Sequence, residues 1–290
     1  MSQNVHLIGC PVDSGKARRG CLMGPDAYRT AGLAEALTDL GLTVYDTGNL
    51  SLPDLSAITA SGPGYMRAEN IGWTQVISEA AETAMHTGTP IFLGGDHSLS
   101  LGSVLGSARY AAKQERPLFV LWLDAHSDFH TPLTSASGNL HGTPLGYVTG
   151  RDGFEDFPQV DSPVAQENIC IIGLRSVDAP ERAALQASAI TYHDMRAIDE
   201  NGIARPLEAF LAKVKAANGL LHVSLDVDFI DPMFAPAVGT TVPGGATLRE
   251  AHLAMEMICD SNLLSALDLV ELNPFLDDRG STALVMTDLA

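Results

Sequence analysis

Basic residues are scarce in this sequence. Its 290 residues include 17 Lys and Arg against 35 Asp and Glu, a formal net charge of −18 at pH 7. Nucleic acids and anionic membranes repel such a charge, so we expect neither as a partner. The sequence also lacks an apolar run long enough to span a bilayer, and no basic segment leads into an apolar one at its start. We therefore predict a cytoplasmic protein with no membrane partner.

Cysteine is rare as well. The chain has 4 cysteines, and none of them form a C-x-x-C pair. Scattered cysteines without disulfide or zinc spacing are typical of a reducing compartment. We expect all of them to be buried thiols: Cys10, Cys21, Cys170 and Cys259.

Apolar segments alternate with segments of helical spacing along the whole chain. No linker interrupts them, and we predict one domain over residues 1–290. Eight strands that alternate with helices indicate a parallel sheet covered on both faces. A closed barrel and an open doubly wound sheet both fit this pattern. The predicted strands span 5–10, 42–45, 90–93, 119–123, 168–173, 189–192, 220–225 and 267–270, and the main predicted helices 26–40, 67–86, 99–112, 203–217 and 248–259.

Polar side chains cluster where predicted strands end. The apolar run 119–123 leads directly into Asp124, His126 and Asp128. Residues two apart on an extended chain point the same way, so these three groups should converge beyond the strand. The alternative is a polar strand end followed by a solvated loop. The same pattern recurs at His97 and at Asp226 with Asp228, which favours metal binding over that alternative.

These six residues form a hard, oxygen-rich ligand set without thiolate, which suits manganese better than zinc or copper. Four carboxylates are too many for one ion, and they suit two divalent ions about 3.5 Å apart. Such a pair acidifies a bridging water and so supplies a hydroxide nucleophile. The predicted ligands are His97, Asp124, His126, Asp128, Asp226 and Asp228.

Three stretches resemble the signatures of the ureohydrolases, the family of arginases and agmatinases. They are Gly94-Gly-Asp-His-Ser98, Asp124-Ala-His-Ser-Asp128 and Ser224-Leu-Asp-Val-Asp-Phe-Ile-Asp-Pro232. The runs 131–142 and 173–181 resemble arginases more than other members. The resemblance implies a three-layer α/β/α sandwich with an open, mostly parallel eight-stranded sheet. It also implies two Mn²⁺ ions and hydrolysis of L-arginine to L-ornithine and urea.

The resemblance also assigns individual roles. One ion would bind His97, Asp124, Asp128 and Asp226, and the other Asp124, His126, Asp226 and Asp228, with Asp124 and Asp226 bridging. Glu271 would pair with the substrate guanidinium, His141 would shuttle protons, and Asp128 would join them in catalysis. The remaining substrate-binding residues would be His130, Ser137, Asn139, Asp178, Glu181 and Thr240.

Two positions depart from the family pattern. His130 stands where many arginases have an asparagine that contacts the substrate carboxylate, and Ser176 stands where an aspartate is frequent. Arg249 and Glu250 resemble an intersubunit ion pair, which implies a homotrimer or homohexamer.

Three other functions share part of this pattern. An amidinohydrolase for agmatine or a guanidino acid would have the same metal ligands and differ only in the residues around the substrate's far end. A catalytically silent binding protein would need a damaged ligand set, and all six ligands are present. A metal-dependent deacetylase would leave Glu271 and the 137–142 run without a role.

Overall fold

Eight strands form the centre of the molecule. The computed structural model describes residues 4–290. Each predicted strand is present, with ends shifted by at most four residues. The strands are β1 (Asn4–Cys10), β2 (Thr43–Asn49), β3 (Thr89–Gly94), β4 (Leu118–Leu123), β5 (Ile169–Leu174), β6 (Thr191–Asp194), β7 (Leu220–Asp226) and β8 (Leu264–Val270).

The strands form one open sheet in the order β2-β1-β3-β8-β7-β4-β5-β6. Every pairing is parallel. The two edge strands, β2 and β6, do not pair with each other, so the sheet is not a barrel. The predicted open α/β sandwich is confirmed.

Helices cover both faces of the sheet. Along β4, Phe119 and Leu121 pack into one core and Val120 and Trp122 into the other. This alternation explains why the strand is a continuous apolar run, since neither face meets water. The helices are α1 (Gly24–Thr30), α2 (Leu33–Asp39), α3 (Arg67–Ala84), α4 (Ser100–Lys113), α5 (Pro144–Val148), α6 (Ala179–Gln186), α7 (Met195–Asn201), α8 (Ala204–Ala216), α9 (Leu248–Ser261) and α10 (Ser281–Leu289).

Two predictions about local structure are wrong. The predicted helix 26–40 is two helices, because Gly32 adopts a left-handed conformation with φ of 86° that an α-helix cannot contain. Cys259 is exposed, whereas the other three cysteines are buried. It lies on α9 beyond the face formed by Ala251, Ala254 and Ile258, which packs into the core. Among residues 4–290 no helix is both long and apolar enough to cross a membrane.

The four central strands determine where chemistry can occur. β3, β8, β7 and β4 are consecutive neighbours in the sheet, although they come from two separate parts of the sequence, 89–123 and 220–270. Because they are parallel, their carboxyl ends meet at one edge. Ligands bind at this edge in open α/β sheets.

Candidate active site

The six predicted metal ligands meet at that edge. His97 follows β3, Asp124, His126 and Asp128 follow β4, and Asp226 ends β7 with Asp228 just beyond. All are buried except His126, whose side chain is 23% exposed. The structure thus brings together every ligand that the sequence predicts.

The ligands divide into two clusters that share one residue. His97 Nδ1 lies 3.2 Å from Asp124 Oδ2, 3.1 Å from Asp128 Oδ2 and 3.0 Å from Asp226 Oδ2. His126 Nδ1 lies 3.3 Å from Asp124 Oδ1 and 3.0 Å from Asp228 Oδ2. The two oxygens of Asp124 therefore face different clusters. Asp226 Oδ1 instead accepts a hydrogen bond from the amide of Asp228, 2.7 Å away.

These spacings fit divalent ions. Ligands at right angles around a small divalent ion, each about 2.1 Å from it, are themselves about 3 Å apart. His97 Nδ1 is buried and has no hydrogen-bond partner of its own, while three carboxylate oxygens surround it. An unpartnered buried nitrogen among carboxylates is the arrangement that a bound cation would satisfy.

The charges of the ligands support the same conclusion. Burial, together with the neighbouring Asp124, raises the pKa of Asp128 to about 7. Burial and the carboxylates of Asp228 and Asp124 raise the pKa of Asp226 to about 8. Without a cation the cluster must hold protons, because adjacent buried carboxylates repel one another. A divalent ion would compensate this charge instead.

Further contacts hold the ligands in place. The ring of Trp122 stacks on that of His97 with centroids 4.2 Å apart, and its Nε1 donates to Asp124 Oδ2 at 2.9 Å. Ser224 Oγ lies 2.8 Å from His97 Nε2. Such outer contacts set the orientation of metal-binding groups. Trp122 and Ser224 are strand residues whose role is evident only once β4 and β7 are known to be neighbours.

Glu271 lies beside the His97 cluster, directly after β8. It is buried, and its backbone has φ of 69°, an unusual conformation for a residue other than glycine. Its Oε1 accepts a hydrogen bond from the amide of His97 at 2.9 Å and lies 3.1 Å from His141 Nδ1. Asp128 also has positive φ, 44°. Backbone strain of this kind is concentrated at functional sites.

Lys16 is a site residue that none of the sequence motifs includes. Its ammonium forms an ion pair with Glu271 Oε2, and both side chains are 3% exposed. The sequence does contain a clue to its role, because Lys16 lies in a glycine-containing loop directly after the first strand. The significance of that loop depends on β1 lying beside β3 in the sheet.

His141 lies next to Glu271. Burial, followed by the nearby Lys16 cation, lowers its pKa well below the usual histidine value, so the imidazole is neutral. The amide of His141 donates to the carbonyl of Gly15 at 3.1 Å. Gly15 is in turn fixed by Asp96, whose Oδ2 accepts from its amide at 2.7 Å. A Cβ at position 15 would lie 2.4 Å from Asp96 Oδ1, so this contact requires glycine.

The clusters and Glu271 open into one cavity of about 310 Å³. Asp124 is fully buried beneath it. The predicted residues that line this cavity are His97, His126, Asp128, His130, Ser137, Asn139, His141, Asp178, Glu181, Asp226, Asp228, Thr240 and Glu271.

His130 lines this cavity with its side chain 14% exposed, and both of its ring nitrogens have partners. Its Nε2 lies 3.2 Å from Asp178 Oδ2, and its Nδ1 lies 3.0 Å from Thr134 Oγ1. Ser176, the other position that departs from the family pattern, also lines the cavity. The substrate-binding roles of the predicted residues stay predictions: His130, Ser137, Asn139, Asp178, Glu181 and Thr240.

Comparisons with known proteins point to one family. A model of the arginase family matches residues 3–290. The arginase of Brucella melitensis is 55% identical over 285 residues, which cover 98% of this chain and 93% of that protein. The native crystal structure of the arginase from Bacillus caldovelox superimposes with a TM-score of 0.91 at 36% identity, covering 100% of this chain and 97% of that one. The crystal structure of the arginase from Bacillus subtilis gives 0.89 at 36% identity, covering 99% and 96%.

Proposed function

Since this chain belongs to the arginase family, we propose that it hydrolyses the guanidinium group of L-arginine, releasing L-ornithine and urea. The observation that carries this proposal is the position of Glu271. Its buried carboxylate faces the same cavity as the two histidine–carboxylate clusters. A cationic planar group bound at Glu271 would therefore have its carbon close to the hydrolytic centre, because carboxylates pair with guanidinium groups in a fixed planar geometry.

Two manganese ions would complete the centre. The oxygen-rich donor set favours manganese over softer metals. His97, Asp124, Asp128 and Asp226 would hold one ion, and Asp124, His126, Asp226 and Asp228 the other. When bound, such a pair supplies the nucleophile by acidifying a water molecule.

The protein's own side chains bind the substrate, orient the water and transfer the proton. Glu271 binds the guanidinium and fixes its plane. Asp128 lines the cavity beside His97 and orients the attacking water. The bond between the guanidinium carbon and the ornithine nitrogen breaks, and the departing amine needs a proton. His141 first takes up a proton from solvent and then transfers it to this amine, because its ring lines the cavity and a neutral imidazole can accept a proton again after each transfer.

The amino-acid end of the substrate would bind at the cavity mouth. Ser137 and Asn139 offer donors for the α-carboxylate, whereas Asp178 and Glu181 offer acceptors for the α-ammonium group. Thr240 lies nearer the guanidinium. Both ring nitrogens of His130 are occupied, by Asp178 and Thr134. Its contribution is therefore to position Asp178, and it does not bind the α-carboxylate of the substrate by itself.

Urea release from L-arginine, agmatine and 4-guanidinobutyrate by the manganese-loaded protein tests the proposal. We expect arginine to be the best substrate and agmatine to be poorer by about two orders of magnitude or more in kcat/KM. Agmatine lacks the α-carboxylate, and a site built to bind a polar group is left with unpaired donors when that group is missing. Equal kcat/KM for agmatine and arginine would instead support a broader amidinohydrolase. No urea from any of the three would support a binding protein without activity.

We also propose that the chain is one catalytic domain, that it works in the cytoplasm and that it forms a homotrimer or homohexamer. The three buried cysteines, none of them in a disulfide, support a reducing compartment. Glu250 caps its own helix by bonding to Thr247, while Arg249 is exposed and has no ion-pair partner within residues 4–290. Arg249 is thus available to another subunit. Sedimentation velocity would show a single monomeric species if the proposed assembly is wrong.

A further inference from the structure

The ion pair between Lys16 and Glu271 is not required by any step described above. Lys16 is buried, whereas Lys113, Lys213 and Lys215, the other lysines of the chain, are exposed. Its ammonium lies on Oε2 of the carboxylate proposed to bind the substrate. Burying a lysine is costly unless it is paired. This pair therefore has a large effect on the charge of the site.

The carboxylate of Glu271 is almost fully occupied. Oε1 has two donors nearby, the amide of His97 and Nδ1 of His141. Oε2 has the Lys16 ammonium, with Cys21 Sγ farther away at 3.9 Å. A carboxylate accepts about four hydrogen bonds, and a guanidinium binds it best through two parallel ones. An arriving guanidinium consequently finds Oε2 already bound to a cation.

The backbone of Lys16 is fixed, and its ammonium lies between Glu271 and the loop at Gly239. The neighbouring Gly15 is held by Asp96 and by the amide of Leu140, which donates to the Gly15 carbonyl at 2.7 Å. The ammonium rests beside Gly239, where an added Cβ would lie 2.9 Å from Nζ. Gly239 precedes Thr240, which lines the cavity. The ammonium therefore lies close both to the carboxylate proposed to bind the substrate and to the cavity wall.

We propose that Lys16 competes with the substrate guanidinium for Glu271 and so determines the affinity of the site for cationic substrates. This inference rests on the proposed function. Before substrate binds, Lys16 neutralises a buried carboxylate. When a guanidinium arrives, Lys16 must release or share Oε2, and the repulsion between the two cations weakens substrate binding.

Lys16→Met removes the ammonium and keeps the apolar stem. In the manganese-loaded protein we expect KM for arginine to fall by roughly ten- to a hundredfold, because one cation no longer repels the other. The kcat value should change much less than KM, since the repulsion acts on binding in ground and transition states alike, and its pH profile should shift because Lys16 also lowers the pKa of His141. Lys16→Gln should behave similarly. Lys113→Met, which changes an exposed lysine, is the matched control and should have wild-type constants.

A neutral ligand separates charge competition from a general structural effect. L-Citrulline carries the same amino-acid end as arginine but an uncharged ureido head. Its inhibition constant should change by less than about threefold in Lys16→Met, because no cation is placed beside Lys16. A parallel change in citrulline and arginine binding would contradict competition between charges.

The remaining outcomes are also decisive. An unchanged or higher KM for arginine, with normal manganese content, would overturn the role of Lys16. Lys16→Gln, which keeps a polar head group, is the variant that decides the question where Lys16→Met does not fold. If the wild-type protein releases no urea from arginine, the proposed function itself fails, and this is visible before any variant is compared.

Discussion

Asp124→Ala should reduce arginine hydrolysis by at least about a thousandfold and lower the manganese content of the purified protein. Asp124 is the one residue whose two oxygens face both clusters, at 3.2 Å from His97 and 3.3 Å from His126. Its loss removes a ligand from both proposed ions, and a metal centre contributes several kcal/mol to such a reaction. Asp226→Ala should have a comparable effect if Asp226 also bridges. Metal content by elemental analysis and kcat/KM after reconstitution with Mn²⁺ measure both effects.

The variant His97→Ala tests whether the effect of Asp124→Ala comes from its contact with both clusters. His97 belongs to one cluster, so its loss should be less damaging than that of Asp124. Asp161→Ala, which removes an exposed carboxylate far from the cavity, should change neither metal content nor rate. Chelator-treated wild-type protein should lose activity and recover it better with Mn²⁺ than with Zn²⁺. Full activity after complete removal of metal would refute the dimetal proposal.

Glu271→Gln should decrease kcat/KM for arginine by a few hundredfold or more while leaving metal content unchanged. The amide keeps the shape of the side chain but removes the charge that pairs with guanidinium. Removing one partner of a buried ion pair costs about 3–5 kcal/mol, and about 1.4 kcal/mol corresponds to a factor of ten in rate. Steady-state kinetics and elemental analysis on the same preparation test this directly.

Glu271→Gln also leaves the Lys16 ammonium buried without its partner, which could lower stability for reasons unrelated to catalysis. The double variant Lys16→Met with Glu271→Gln removes both charges and controls for this effect. Its melting temperature should be higher than that of Glu271→Gln alone, while its activity should remain low. Near-normal kcat/KM in either variant would contradict the assignment of Glu271 to the guanidinium.

Much of the site could be predicted because its residues are local in sequence. Asp124, His126 and Asp128 follow one apolar strand at alternate positions, which predicts that they lie close together. In the structure they do so although the chain bends at 124–126 and Asp128 has φ of 44°. The resemblance to the ureohydrolases, which is confirmed by the family match, added Glu271 and His141. Periodicity also identified eight strands, because buried parallel strands are continuous apolar runs bounded by polar residues. The break at Gly32 was missed because a single glycine does not disturb helical spacing in the sequence.

The sequence by itself determined which residues carry the chemistry and that they lie at strand ends. Only the tertiary structure decided which strand ends are neighbours. In the order β3-β8-β7-β4, the pairings of β3 with β8 and of β7 with β4 join segments more than 100 residues apart, and no local pattern specifies such pairings. The ion pair between Lys16 and Glu271 has the same origin, since it depends on loops 255 residues apart meeting at one edge. Local spacing is fixed by backbone geometry, whereas strand order results from packing both faces of the sheet at once.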